Sequence, residues 1–385
     1  MMEFTLGGAL MKEQVRLLKP KLDEVFAHLH KHPEVSWKET ETTRYLKEFL
    51  EREGFNVNLF DGMTGLSVTI GEGKPVVGLR VDIDALWQEV DGVYQANHSC
   101  GHDGHMTMGI GALLMAKERG IPEKGTLKVF FQPAEEKGKG ALAVIDQGII
   151  DDIEYLFGVH VRAADEMDDG CSTASLRHGA AKMVSGIIKG TEAHGARPHQ
   201  GKNAIEVGAS LVSGLQSIHC NPIISHTAKM TMFQAGGESA NIIPGNAKFS
   251  LDLRAQENKV MDELYQHVER VISAVAAQYD VVIDYDVMAE MVAAEVDAEA
   301  EELMYQAIVS VVGEDKATRT VVTPGGEDFH FYSVQRPTVK STMLGLGCGL
   351  TPGLHHPHMT FNQDALATGV EILTTALELT FQSKK

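Results

Sequence analysis

The feature that most restricts the fold is an alternation of strand-like and helix-like segments, which changes rhythm once along the 385 residues. In the first part of the chain, short apolar runs at 126–132 and 155–160 alternate with segments of helical spacing, such as 103–119. Strands that alternate with helices predict an α/β core built in layers.

Before this alternation, residues 12–53 predict two amphipathic helices around a turn at His32-Pro33. Strand-like runs follow at 56–60, 66–70 and 76–81. Because Gly71-Glu72-Gly73 lies between the last two runs, it predicts a hairpin that pairs them.

The segment 184–291 has a different order of elements. We predict that it forms a separate α+β domain of the ferredoxin-like kind, inserted into an α/β catalytic domain made of residues 1–183 and 292–385. Its predicted elements, in the order βαββαβ, are a strand at 184–189, a helix at 204–218, strands at 228–235 and 247–254, a helix at 260–277 and a strand at 281–288.

The charge balance excludes two classes of partner. There are 34 basic and 53 acidic residues, for a formal charge of −19, and such a surface repels nucleic acids and anionic membranes. No run of about 18 apolar residues is present that predicts a membrane span. The four scattered cysteines do not indicate a disulfide framework, so we expect a cytoplasmic protein.

Histidines occur in clusters that are far apart in sequence, which suggests one site assembled by folding. The most specific motif is Cys100-Gly-His102-Asp-Gly-His105. A thiolate and an imidazole two residues apart can both reach one metal ion, although a glycine-rich turn that precedes a helix is the alternative.

Three weaker signals lie elsewhere in the chain. Glu135 and Glu136 follow an apolar strand, where sites in α/β sheets form, and His160 ends another strand. The third signal is the tract His355-His356-Pro-His358. Just before it, the glycine-rich stretch 345–353 lacks the Lys-Ser/Thr of a phosphate-binding loop, and we predict that it is a turn.

Each of these signals is ambiguous alone, but together they form a mixed sulfur, imidazole and carboxylate set. Such a set suits zinc, and also manganese, nickel or cobalt. Five ligands and a free carboxylate are enough for two divalent metal ions that share a water. Two cations about 3.5–4 Å apart activate such a water and neutralise charge on an attacked carbonyl oxygen.

At these residues the chain resembles the co-catalytic metallopeptidase superfamily of aminoacylases and carboxypeptidases. The branch it resembles most is that of the amidohydrolases, which includes hippurate hydrolase and indole-acetyl-amino-acid hydrolases. The resemblance spans nearly the whole chain. Its motifs, in order, are His28–Glu34, Leu79–Leu86, Cys100–His105, Phe131–Glu136, Gly158–His160, Ala193–His199, Asn241–Pro244, Gly326–Phe329 and Leu354-His355.

The resemblance implies roles for matching residues. Glu135 resembles the general base and acid, and Asp82 the carboxylate that orients the site. Arg80 stands where related enzymes have a ligand histidine, and Cys100 replaces that ligand. Position in the family favours His355 over His356. The implied metal ligands are Cys100, His102, Glu136, His160 and His355.

The resemblance also implies a role for the inserted domain in dimerisation and as a lid. His194 resembles a histidine that reaches a partner subunit's site and stabilises the oxyanion. Asn241 and Arg254 resemble the pair that holds the substrate's carboxylate, although Arg254 can instead pair with Asp252 on the same strand, and His194 can be a solvated loop residue.

These expectations combine into one function. We predict a metal-dependent amide hydrolase, or deacylase, that acts on N-acyl amino acids or small peptides as a homodimer or higher oligomer. Glu135 would take a proton from the attacking water and later give it to the leaving amine. The alternatives are a dipeptidase or aminopeptidase of the same superfamily, and a metal- or ligand-binding protein without catalysis.

Overall fold

The computed structural model describes residues 2–384, with side chains from residue 9 onward. The chain forms two compact units. One comprises residues 1–177, 295–322 and 328–385, and the other comprises residues 178–294 and 323–327.

Helices and strands alternate through most of the described chain. The helices are α1 Met2–Lys31, α2 Thr40–Arg52, α3 His102–Arg119, α4 Gly140–Asp146, α5 Ala204–Gln216, α6 Asn258–Tyr279, α7 Ala298–Val312, α8 Phe331–Gln335 and α9 Ala365–Gln382. The strands are β1 Val57–Leu59, β2 Leu66–Glu72, β3 Val76–Asp82, β4 Leu86–Val90, β5 Val93–Asn97, β6 Gly125–Gln132, β7 Tyr155–Ala163, β8 Ser172–His178, β9 Ala180–Lys189, β10 Ala193–His194, β11 His226–Ala235, β12 Ile242–Ile243, β13 Asn246–Ala255, β14 Val282–Met291, β15 Ala317–Thr323 and β16 Lys340–Leu350.

The first unit is built on an eight-stranded mixed sheet in the order β1-β2-β6-β3-β7-β16-β8-β15. Its four central strands, β6, β3, β7 and β16, are parallel. They are buried along almost their whole length, as expected for parallel strands that helices cover. Helix α3 is buried on all sides from His102 to Ala116 and shares one hydrophobic core with the sheet.

The predicted hairpin at Gly71-Glu72-Gly73 is wrong. Strand β2 pairs with β6 in antiparallel orientation, and β3 pairs with β6 in parallel orientation, so β6 lies between them. The local sequence shows a chain reversal, but the insertion of β6 depends on a segment more than fifty residues further on. No periodicity within 66–81 contains that information.

The predicted turn at 345–353 is also wrong over most of its length. Residues up to Leu350 belong to β16, which pairs with β7 on one side and β8 on the other. Gly345 and Gly347 permit close packing there. An added Cβ would lie 2.5 Å from the Thr173 side chain at Gly345 and 2.1 Å from the Asp168 carbonyl oxygen at Gly347. The two-stranded hairpin β4–β5 and strands β8 and β15 are not predicted from the sequence at all.

The second unit contains a four-stranded antiparallel sheet in the order β11-β13-β9-β14. Helices α5 and α6 pack on this sheet and bury a hydrophobic core of their own. Strands β10 and β12 form a separate, short two-stranded antiparallel sheet in this unit. Its main elements follow one another as βαββαβ. This unit extends a few residues beyond the predicted boundaries of 184 and 291.

Within the part of the chain described, no helix combines the length and the apolar character that crossing a bilayer requires.

Candidate metal centre

The candidate site lies at the carboxyl ends of the parallel strands. Asp82 is the last residue of β3, and Glu135 lies three residues beyond the end of β6. His160 lies in the second half of β7, and His355 follows β16. Because the carboxyl ends of parallel strands share one edge, segments that are distant in sequence converge there.

The turn between β5 and α3 brings Cys100 and His102 to the same place. Gly101 joins them with a φ of 85°, a conformation that residues with a Cβ rarely adopt. An added Cβ would also lie 2.4 Å from the Val161 side chain. Glycine at 101 therefore permits both the turn and the close approach of β7.

The five predicted metal ligands come together in two groups that share one sulfur. The first group is Cys100, His102 and His160, and Cys100 Sγ lies 3.6 Å from His160 Nε2. The second group is Cys100, Glu136 and His355. His355 Nε2 lies 3.3 Å from Cys100 Sγ and 3.4 Å from Glu136 Oε1.

Hydrogen bonds to the backbone orient two of the imidazoles. His102 Nδ1 donates to the carbonyl of Asp84 at 2.8 Å, and His160 Nδ1 donates to the carbonyl of Val161 at 2.6 Å. Each bond places the proton on Nδ1, so Nε2 is the ring nitrogen with a lone pair that can bind a metal. Burial also lowers the pKa of His160 well below its ordinary value, which favours the neutral form that binds metal.

The turn after β6, which carries Glu135 and Glu136, is held by buried carboxylates. Ala134 has a φ of 54°, and its N–H donates to Glu39 at 2.9 Å. The N–H groups of Glu135 and Glu136 donate to the two oxygens of Asp84, at 3.1 and 3.0 Å. Three backbone bonds therefore fix the strained turn and the direction of both glutamates.

Asp82 lies in a buried network of charges. Its Oδ1 accepts from His105 Nδ1 at 2.7 Å, and its Oδ2 accepts from Arg80 at 2.6 Å. Although burial opposes ionisation, His102, His105 and Arg80 hold the pKa of Asp82 well below its usual range. Arg80 also donates to Asp328 at 2.6 Å, and the Asp328 N–H donates to Glu135 Oε1 at 3.3 Å.

Two buried atoms of this site suit a cation. His102 Nε2 and Glu136 Oε1 are buried without a hydrogen-bond partner among the described residues. Such atoms are costly unless something binds them, and both are metal-ligand atoms. The Cys100 sulfur and the Glu136 carboxylate beside the imidazole raise the pKa of His355 to about 10, so a proton and a cation would compete for the same position. The donor set therefore fits divalent metal.

The structure brings His355, rather than His356, to the other predicted ligands. His356 is exposed, and its Nδ1 accepts from the backbone N–H of His358 at 3.1 Å. It belongs to none of the groups of possible metal ligands among the described residues.

The other predicted site residues lie in the second unit. His194 is exposed, and its Nδ1 accepts from the Ala196 N–H at 3.1 Å. Asn241 is next to it, since its carbonyl accepts from the Gly195 N–H at 2.7 Å. Arg254 donates to both oxygens of Asp252, at 2.7 and 2.9 Å, which is the alternative pairing expected from the sequence.

Asp84 and His105 belong to the sequence motifs of this region, but the sequence predicts no role for either. Asp84 binds both glutamate N–H groups, and its backbone carbonyl orients His102. His105 contacts Asp82 through one ring nitrogen and accepts from the Val161 N–H through the other at 3.0 Å, and with Asp82 and His102 it also forms a group of possible metal ligands. The spacing Asp82-x-Asp84 at a strand end is the signal that identifies Asp84.

Comparison with known proteins gives consistent matches over most of the chain. The sequence model of the peptidase family M20/M25/M40 matches residues 78–379. The N-acetyl-L-cysteine deacetylase of Bacillus subtilis (strain 168) is 30% identical over 371 residues, which cover 91% of this chain and 85% of that protein. An IAA-amino acid hydrolase of Arabidopsis thaliana is 28% identical over 375 residues, 93% of this chain and 79% of its own.

A solved structure shares the fold. It is the Bacillus subtilis YXEP protein, described as a dinuclear metal-binding peptidase from the M20 family. The TM-score is 0.82 at 25% sequence identity, and the match covers 96% of this chain and 99% of the other.

Proposed function

We propose that this chain, which belongs to the peptidase family M20/M25/M40, is a metal-dependent deacylase that hydrolyses the amide bond of N-acyl amino acids. The observation that carries the proposal is the convergence of the five proposed ligand side chains around the Cys100 sulfur, beside the carboxylate of Glu135.

In this proposal Cys100, His102 and His160 hold one divalent cation, and Cys100, Glu136 and His355 hold the other. When bound, the two cations would act as Lewis acids that activate a water and neutralise developing charge. The mixed sulfur, nitrogen and oxygen donors suit zinc, and also manganese, nickel or cobalt. The dinuclear peptidase from Bacillus subtilis supports the number of ions.

Glu135 is placed for proton transfer. Its carboxylate lies 4.0 Å from His102 Nε2, and its backbone and Oε1 are held by Asp84 and Asp328. We assign it the removal of a proton from the attacking water and the delivery of that proton to the leaving amine. Asp82 and Arg80 orient the histidine side of the site and remain charged.

N-acyl amino acids are the proposed substrates because the relatives named as N-acetyl-L-cysteine deacetylase and IAA-amino acid hydrolase act on them. Asn241 and Arg254 are the proposed holders of the substrate's carboxylate. For Arg254 this requires exchange of its ion pair with Asp252, whose side chain is 26% exposed. Such an exchange preserves the bidentate geometry that guanidinium groups favour.

The function is tested with metal-defined protein and a panel of N-acetyl amino acids, N-benzoyl amino acids and dipeptides. We expect a kcat/KM for the best N-acyl amino acid at least ~10-fold above that for any dipeptide, a difference within the reach of a specificity pocket. Preference for dipeptides would instead identify a dipeptidase or aminopeptidase. Metal binding without any turnover on the panel would favour a binding protein.

We also propose that the protein is a cytoplasmic homodimer or higher oligomer in which His194 stabilises the oxyanion in a partner subunit's site. The exposure of His194 supports its action in a partner subunit's site. The four cysteines are free thiols, which supports a cytoplasmic location. Mixing an inactive Glu135→Gln variant with an inactive His194→Ala variant is expected to restore activity, because mixed dimers then contain one intact site. If subunit exchange is proven by mass spectrometry and activity stays absent, His194 acts within its own subunit or not at all.

A further inference from the structure

The backbone of His355 has an unusual conformation. Its φ is 64°, in the left-handed region that residues with a Cβ seldom occupy. The side chain is 54% exposed, so burial does not hold it in place. Strained backbone of this kind persists where surrounding contacts impose it.

Hydrogen bonds from another part of the chain hold both sides of this residue. The N–H of His355 donates to the Ser99 carbonyl at 2.7 Å. The carbonyl of His355 accepts from Gln88 Nε2 at 3.0 Å. Gln88 lies on β4, and Ser99 follows β5, so both belong to the region of the β4–β5 hairpin.

The Gln88 amide is itself held in this orientation. Its Oε1 accepts from Asn97 Nδ2 at 3.1 Å and from the Ser99 hydroxyl. Asn97 Nδ2 also donates to the Pro357 carbonyl at 2.9 Å, two residues after His355. Since Oε1 receives these donors, Nε2 points at His355.

We propose that Gln88, Asn97 and Ser99 form a polar clamp that positions His355 as a metal ligand. This inference rests on the proposed function, in which His355 and Glu136 share one cation with Cys100. Without the clamp, the loop can relax out of the left-handed conformation and carry His355 Nε2 away from the other ligands. The loss should fall mainly on that cation, because His102 and His160 are held by backbone carbonyls outside the clamp.

The test replaces Gln88 with leucine, which keeps the size of the side chain and removes both polar ends. The control is Gln95→Leu, because Gln95 is exposed and lies directly opposite Gln88 in the hairpin register. Binding of Zn²⁺ is measured by competition with a chelator that resolves two ions, and the melting temperature is measured on the metal-free proteins.

We expect Gln88→Leu to lower the affinity for one of the two ions by about 10- to 100-fold, which is the usual effect of removing a hydrogen bond that orients a metal ligand. The other ion and the melting temperature should change little, and Gln95→Leu should match the wild type. Asn97→Ala should lower the affinity for the same ion. The double variant should lose less than the product of the two single losses, because Gln88 and Asn97 belong to one hydrogen-bond network.

Wild-type affinity for both ions in Gln88→Leu would overturn the inference, and so would an equal loss of both. His355→Ala separates this failure from that of the proposed function. If His355→Ala loses one ion while Gln88→Leu loses none, only the clamp is wrong. If His355→Ala retains both ions, the proposed ligand set is wrong and the clamp has no metal ligand to position.

Discussion

Replacement of Glu135 by glutamine is expected to lower kcat by about 10³-fold while the protein still binds two metal ions. The amide has nearly the same shape but cannot accept a proton, and general acid–base catalysis typically contributes 10²- to 10⁴-fold. The loss should reach at least the middle of this range, because one residue serves both as base and as acid. The measurement is kcat on the best N-acyl amino acid, with metal content determined on the same sample.

The control for this variant is Glu136→Gln, made at the neighbouring position. Since Glu136 lies among the ligands and Glu135 is assigned the proton transfer, Glu136→Gln should lose metal as well as activity. Substantial turnover by a Glu135→Gln protein that holds two metal ions would contradict the assignment of the base.

Removal of the Cys100 thiol is the change expected to affect metal binding most. Because Cys100 belongs to both groups of ligands, Cys100→Ala removes a donor from both cations at once. We expect the metal content to fall from two ions to less than one per chain after dialysis against micromolar metal. The deprotonated thiol is a strong ligand for zinc, and alanine offers no donor atom.

Cys171→Ala is the matched control, because Cys171 is partly exposed, unpaired and outside every ligand group among the described residues. It should retain two ions and full activity. If Cys100→Ala also retained two ions with unchanged affinity, the thiol would not bridge the metals, and the site would have to be built on other donors.

The sequence predicted that the proposed ligand residues lie close together, because their positions follow short-range rules. Cys100 and His102 are two residues apart at the start of a helix, Glu136 follows β6, and His160 lies in the second half of β7. Strand ends meet at one edge of a parallel sheet, so the meeting of these residues follows from topology alone. The prediction of His355 rather than His356 rests on the resemblance, and in the structure His356 Nδ1 instead accepts from the His358 backbone N–H.

The sequence could not predict what depends on long-range contact. Strand β6 lies between β2 and β3 although their sequences indicate a hairpin. The bond from Gln88 to the His355 carbonyl joins residues 267 positions apart, and the ion pair of Arg80 with Asp328 joins residues 248 apart. In the sequence, Gln88 looks like an ordinary polar residue of a surface strand. Only the three-dimensional structure shows that it contacts the His355 loop.

Anomalous diffraction from crystals of the metal-loaded protein, recorded at the absorption edge of the bound metal, tests the central claim most directly. The account predicts two anomalous peaks about 3.5–4 Å apart, the usual separation in two-metal sites. Cys100 Sγ should lie within bonding distance of both peaks, with His102 and His160 on one and Glu136 and His355 on the other. A single peak, or two peaks that do not share Cys100, would contradict it.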